Sequence, residues 1–112
     1  MDMQVTEHIV RIMLVAPHQR IDAFSAPKLR ARLDGMLEQG TTRFVLDLTA
    51  VPFLDSAGMA VLVSLLKRTR QLGGDVRLVW PTEEAAKRIL RLTKFDQVFT
   101  MAESVSAAMK DF

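Results

Sequence analysis

The sequence predicts one α/β domain over residues 1–112, built on a single mixed, mostly parallel sheet with about four helices in the order ββαβαβαβα. Three observations carry this reading. Short apolar runs of strand type alternate with longer segments whose apolar residues recur at helical spacing. The run Phe44-Val45-Leu46, with Leu48, is nearly continuous in its hydrophobicity, as a strand covered on both faces must be. Glycine or proline punctuates the changes of element, at Pro17, Gly40, Gly73-Gly74 and Pro81. Helices alternating with buried strands imply parallel crossovers, which excludes a helical bundle and a β-sandwich.

Taken in order, Gln4 to Val15 reads as two short strands with a turn near Glu7-His8, because Val5, Ile9, Val10, Ile12, Met13, Leu14 and Val15 are large or β-branched. Pro17 ends that run. Ser25 is the expected N-cap of the first helix, with Pro27 tolerated in its first turn. Leu29, Leu33, Met36 and Leu37 form its apolar stripe and Gly40 its stop. After the buried strand, Pro52 to Gly58 is a loop that opens a second helix running to about Leu72. Val76 to Trp80 is the next strand. Thr82 is the expected cap of a third helix, with Glu83 and Glu84 well placed against its dipole. Val98 to Thr100 is expected as the last strand. Val105, Ala108, Met109 and Phe112 give a terminal helix one apolar stripe.

Composition narrows the function. The chain has no cysteine, which excludes a disulfide framework, a thiolate metal site and a cysteine nucleophile. A formal charge of +2 does not require a nucleic-acid partner. The cations Lys67, Arg68 and Arg70, and Lys87, Arg88, Arg91 and Lys94, read as solvated faces opposing the negative ends of helix dipoles. No apolar run approaches the ~20 residues needed to span a bilayer, and the start of the sequence lacks a signal-peptide pattern, so no membrane insertion and a cytoplasmic location are expected.

No catalytic set is visible. His8 and His18 have no partner at metal-ligand spacing and read as surface or turn residues. Ser56 fails the G-x-S-x-G pattern because Leu54 stands where glycine is needed. No phosphate-cradling glycine loop occurs. The expectation is a protein that is not an enzyme and has no cofactor or metal of its own.

The segment Phe53-Leu54-Asp55-Ser56-Ala57-Gly58-Met59 is the informative one. It reads as a capped helix start in which Ser56 or Asp55 accepts from free N–H groups and Gly58 permits close packing. It also places a hydroxyl at the C-terminal edge of a buried strand, where α/β sheets present ligands and partners. A phosphate of about −1.5 to −2 charge would be tolerated there by the helix dipole and felt chiefly by whatever docks.

These residues resemble a known family. Leu46-Asp47-Leu48-Thr49 followed by Val51-Pro52-Phe53-Leu54-Asp55-Ser56-Ala57-Gly58-Met59 is similar to the strand-loop-helix signature of STAS domains, and more narrowly to bacterial anti-sigma factor antagonists. Arg20-Ile21-Asp22-Ala23 with Ser25-Ala26, Gly73-Gly74 before Val76-Arg77-Leu78-Val79, and Leu92 to Phe99 resemble further family segments in the same order. Pro17-His18-Gln19 stands where relatives usually carry glycine. The resemblance implies a STAS fold and a partner switch. The unmodified antagonist binds an anti-sigma factor that is also a serine kinase, which frees a sigma factor. Phosphorylation of the serine ends the complex, and a serine phosphatase restores it. On this chain the resemblance makes Ser56 the acceptor and places partner binding on Asp22, Asp55, Ser56, Ala57, Gly58 and Met59. ATP and Mg²⁺ would belong to the kinase. The chain itself would be a monomer or weak dimer. The alternative is a STAS scaffold that does not switch, serving a lipid-type ABC transporter or a stress-signalling assembly.

Overall fold

In the computed structural model, which describes residues 1–112, β1 (Met13–Val15), β2 (Arg43–Asp47), β3 (Asp75–Val79) and β4 (Thr100–Ala102) form one sheet in the order β1-β2-β3-β4. Every neighbouring pair is parallel. The helices are α1 (Ala26–Glu38), α2 (Ser56–Gln71), α3 (Glu84–Leu92), α4 (Phe95–Val98) and α5 (Val105–Met109). Side chains alternate across the sheet. Phe44, Leu46, Val76 and Leu78 point into the main core with Leu33, Leu62, Leu65 and Leu90 of the helices. Val45 and Val79 point the other way, against Ala108 of α5. Both faces of β2 are thus covered, and Phe44, Val45 and Leu46 are wholly buried, as the continuous apolar run requires.

Arg77 shares the α5 side of the sheet with Val45, its register partner. Its guanidinium donates to the carbonyls of Ala108, Lys110 and Asp111 at 3.1, 2.7 and 3.3 Å and lies 4.2 Å from the centre of the Phe112 ring. A cation in a half-buried strand position therefore satisfies the carbonyls that end a very short helix. The Gly73-Gly74 stop has two causes. Gly73 takes φ +81°, and a Cβ on Gly74 would fall 1.7 Å from the Thr42 carbonyl oxygen.

Several expectations are corrected. The first of the two N-terminal strands does not form: residues before Met13 have no strand partner, and Val5 and Ile9 remain exposed. The sheet is consequently all parallel rather than mixed. The last strand is Thr100–Ala102, because Phe95–Val98 closes a turn of helix first; Phe95 and Phe99 stack at 5.7 Å and hold that turn. The helix count rises to five for the same reason. Ser25 occupies the position before α1 without capping it. Its hydroxyl turns back to donate to the Arg20 carbonyl at 2.8 Å and accept from the Asp22 N–H at 2.9 Å. Thr82 does not cap α3 either. Its hydroxyl donates to the Thr49 carbonyl at 2.9 Å, and Glu83 takes the cap position. Among the basic residues, Arg68 and Arg70 in the last turn of α2 and Arg91 in the last turn of α3 oppose the negative end of a helix as expected, whereas Lys87 lies in the first half of α3 and Lys94 stands at the start of α4. Arg68 pairs with Asp34, Arg70 with Asp75, and Lys87 and Arg91 with Glu84.

Lys94 joins α3 to α4 in the left-handed region, at φ 60°. An L side chain there costs roughly 1–2 kcal/mol that glycine avoids, less glycine's greater loss of freedom on folding. Lys94→Gly should therefore raise the unfolding free energy by ~0.5–1 kcal/mol, read as a higher urea midpoint at unchanged slope.

Candidate functional site

The loop after β2 is pinned by burial of Leu48, Val51 and Leu54. It runs beside the loop after β1, and the two are zipped by backbone. The Ile21 N–H donates to the Phe53 carbonyl at 3.0 Å, and the Asp55 N–H donates to the Ile21 carbonyl at 3.2 Å. Asp55 then ties them a second time through its carboxylate. Oδ1 accepts from the Gly58 N–H at 3.0 Å, capping α2, and Oδ2 accepts from the Ala23 N–H at 3.1 Å on the other loop. Gly58 sits where α2 crosses Ile21: a Cβ there would lie 2.3 Å from the Ile21 carbonyl oxygen. The sequence thus needs its aspartate and its glycine for one purpose, to hold two loops against one helix start.

Asp22 organises the second loop. Its Oδ1 accepts from the N–H groups of Phe24 and Ser25 at 3.0 and 3.1 Å, and its Oδ2 lies 3.0 Å from Arg20 Nε. Arg20 in turn lies over the Phe53 ring, 4.9 Å from its centre. The Ser25 N–H is the main cause that holds the Asp22 carboxyl below its ordinary value of 3.8. The Phe24 N–H, the Ser25 hydroxyl and Arg20 act the same way against partial desolvation. A depressed carboxylate stabilises the fold above its unfolded pKa, and that contribution is lost as pH falls through the folded value. Asp22→Asn should thus have its largest stability deficit near neutrality and converge on the parent as the pH falls below about 4, measured by urea midpoints at neutral and acid pH.

Ser56 is exposed at the first position of α2. Asp55, through its side chain and carbonyl, takes the N–H groups of Gly58 and Met59, so those of Ser56 and Ala57 have no acceptor within the chain. Asp22, Asp55 and Ala57 are half-buried around it, while Gly58 and Met59 lie beneath the surface. All six residues singled out in the sequence therefore fall in one region, with Ser56 as the member most open to solvent. From Ser56 a shallow apolar groove of about 540 Å³ runs between α2 and α3–α4, lined by Met59, Ala60, Val63, Ile89, Thr93 and Phe95. Sequence reading missed the groove, because its walls come from helices far apart in the chain. It also missed Phe24, whose side chain is 90% exposed at the tip of the Asp22 loop; an isolated exposed aromatic leaves no periodic signal. No group of three or more His, Cys, Asp or Glu side chains is gathered as a metal site. No helix is long and apolar enough to cross a membrane.

Comparison with known proteins places this parallel α/β fold in a family. The STAS domain family model matches residues 1–108. The anti-sigma-B factor antagonist of Bacillus subtilis is 31% identical over 91 residues, covering 81% of this chain and 76% of that protein. The crystal structure of a candidate anti-sigma factor antagonist from Thermotoga maritima superposes with a TM-score of 0.83 at 28% identity, covering 89% of this chain and 86% of that one. An anti-sigma factor antagonist from Mycobacterium paratuberculosis superposes with a TM-score of 0.78 at 25% identity, covering 95% and 88%. The chain belongs to the STAS domain family, among the anti-sigma factor antagonists.

Proposed function

We propose that this chain is a phosphorylation-controlled antagonist whose unmodified form docks on an anti-sigma factor with serine kinase activity and so frees a sigma factor. Ser56 is the acceptor of the switch, and the role is regulatory rather than catalytic. Asp22, Asp55, Ala57, Gly58 and Met59 shape the docking face around it. The observation that carries the reading is the exposed Ser56 hydroxyl at the first turn of α2, beside loops fixed by Asp55. A hydroxyl held there is reachable by a kinase, and its phosphate meets free N–H groups of the helix rather than a packed interior. The fold therefore tolerates the modification, and the new charge acts on the partner. A phosphatase that removes the phosphate returns the chain to its binding form.

Incubation with ATP, Mg²⁺ and the cognate anti-sigma factor should add one phosphate, placed on Ser56 by peptide mass spectrometry and lost in Ser56→Ala. Phosphate found only on other residues would overturn the assignment. So would stable co-purification with a transporter ATPase in place of any kinase, the result that a STAS scaffold without a switch would give.

A further inference from the structure

We propose that Phe24 is the anchor of this docking face, an aromatic knob that enters an apolar pocket on the anti-sigma factor; the inference rests on the antagonist reading and names the chemistry of its partner. Phe24 is the one exposed aromatic side chain of the molecule, at 90%, while Phe44 and Phe99 lie in the core and the remaining aromatics are half-buried. Its exposure is not the product of a loose loop. The Phe24 N–H is bonded to Asp22 Oδ1, and the Ala23 and Ser25 N–H groups on either side are bonded to Asp55 Oδ2 and Asp22 Oδ1.

Three consecutive backbone N–H groups are thus held by two carboxylates, and the ring is carried outward on a backbone with little freedom left to lose. Binding through a side chain carried on a held backbone loses less ordering entropy than binding through one on a mobile loop. Aromatic residues of this kind dominate the energetics of protein interfaces. Asp55 is also the cap of α2, so the knob and the Ser56 hydroxyl keep a fixed relation through a single side chain. The partner that reaches Ser56 meets Phe24 on the same face. Full burial of the ring accounts for about thirtyfold in affinity, the equivalent of ~2 kcal/mol.

The test places a photo-crosslinking benzoylphenylalanine at position 24, and separately at the exposed Ala60 beside Ser56, in the full chain expressed in its own cells. Mass spectrometry then identifies the adducts. The expected result is that position 24 captures the same protein that phosphorylates Ser56 with ATP. With that protein purified, Phe24→Ala should weaken binding by about thirtyfold at an unchanged melting temperature, and Phe24→Trp should restore it to within about threefold of the parent. Adducts to the Ser56 kinase from position 60 alone, or Phe24→Ala binding it as the parent does, overturn the anchor while leaving the switch standing. Absence of any Ser56 kinase among the adducts from both positions overturns the antagonist reading itself, and the anchor with it.

Discussion

Gly58→Ala should destabilise the protein by about 2 kcal/mol, although alanine is the better helix former. The added methyl carbon would lie 2.3 Å from the Ile21 carbonyl oxygen and 2.8 Å from the Ile21 Cγ2. The first of these is a backbone atom, already committed as acceptor to the Asp55 N–H, so it cannot move aside without breaking the link between the loops. Overpacking of this kind costs roughly 1–3 kcal/mol or more, and the helix preference of alanine offsets at most ~1 kcal/mol. Chemical denaturation measures the net loss. Gly35→Ala is the control, since a Cβ there meets nothing within 4 Å, and it should stabilise the same protein slightly. Equal effects at the two glycines would show that α2 is not held against Ile21 as described.

Ser56→Asp should reduce affinity for the anti-sigma factor by about a hundredfold, or ~2.8 kcal/mol, while leaving the melting temperature unchanged or slightly raised. The two readouts separate because the substituted carboxylate has two environments. Within the chain it meets the positive end of α2 and the unpartnered N–H groups of Ser56 and Ala57, which is favourable by roughly 0.3–1 kcal/mol. Across the proposed interface the same charge must shed its water on docking. Ser56→Ala loses neither term and should bind as the parent does. Calorimetric titration paired with thermal melts gives both quantities. A Ser56→Asp protein that binds normally would remove the electrostatic basis of the switch.

The buried strand, the helix stripes and the loop into α2 were legible in the sequence because each is set by a local pattern. Phe44-Val45-Leu46 announces a covered strand by its own composition, and Asp55 with Gly58 announces a helix start by spacing. The errors arose where a local preference was overruled by a distant partner. Ser25 and Thr82 are good caps in isolation, yet each hydroxyl is drawn to a carbonyl elsewhere, on Arg20 and on Thr49. Val98-Phe99-Thr100 has strand composition, but the Phe95–Phe99 contact favours one more turn of helix before the sheet resumes. Val5 and Ile9 have strand character without the ladder partner that would use it. At the site, Ser56 and Asp55 were readable, while the groove and the place of Phe24 depend on which segments fold side by side.

The carboxylate of Asp55, shared between the Ala23 and Gly58 amides, has a kinetic corollary. Swinging that one side chain away frees both nitrogens at once, so their protons should swap with deuterium in step wherever this shared opening is the dominant route. An Asp55→Asn chain, with only one oxygen left to accept, would let the two amides exchange at separate rates.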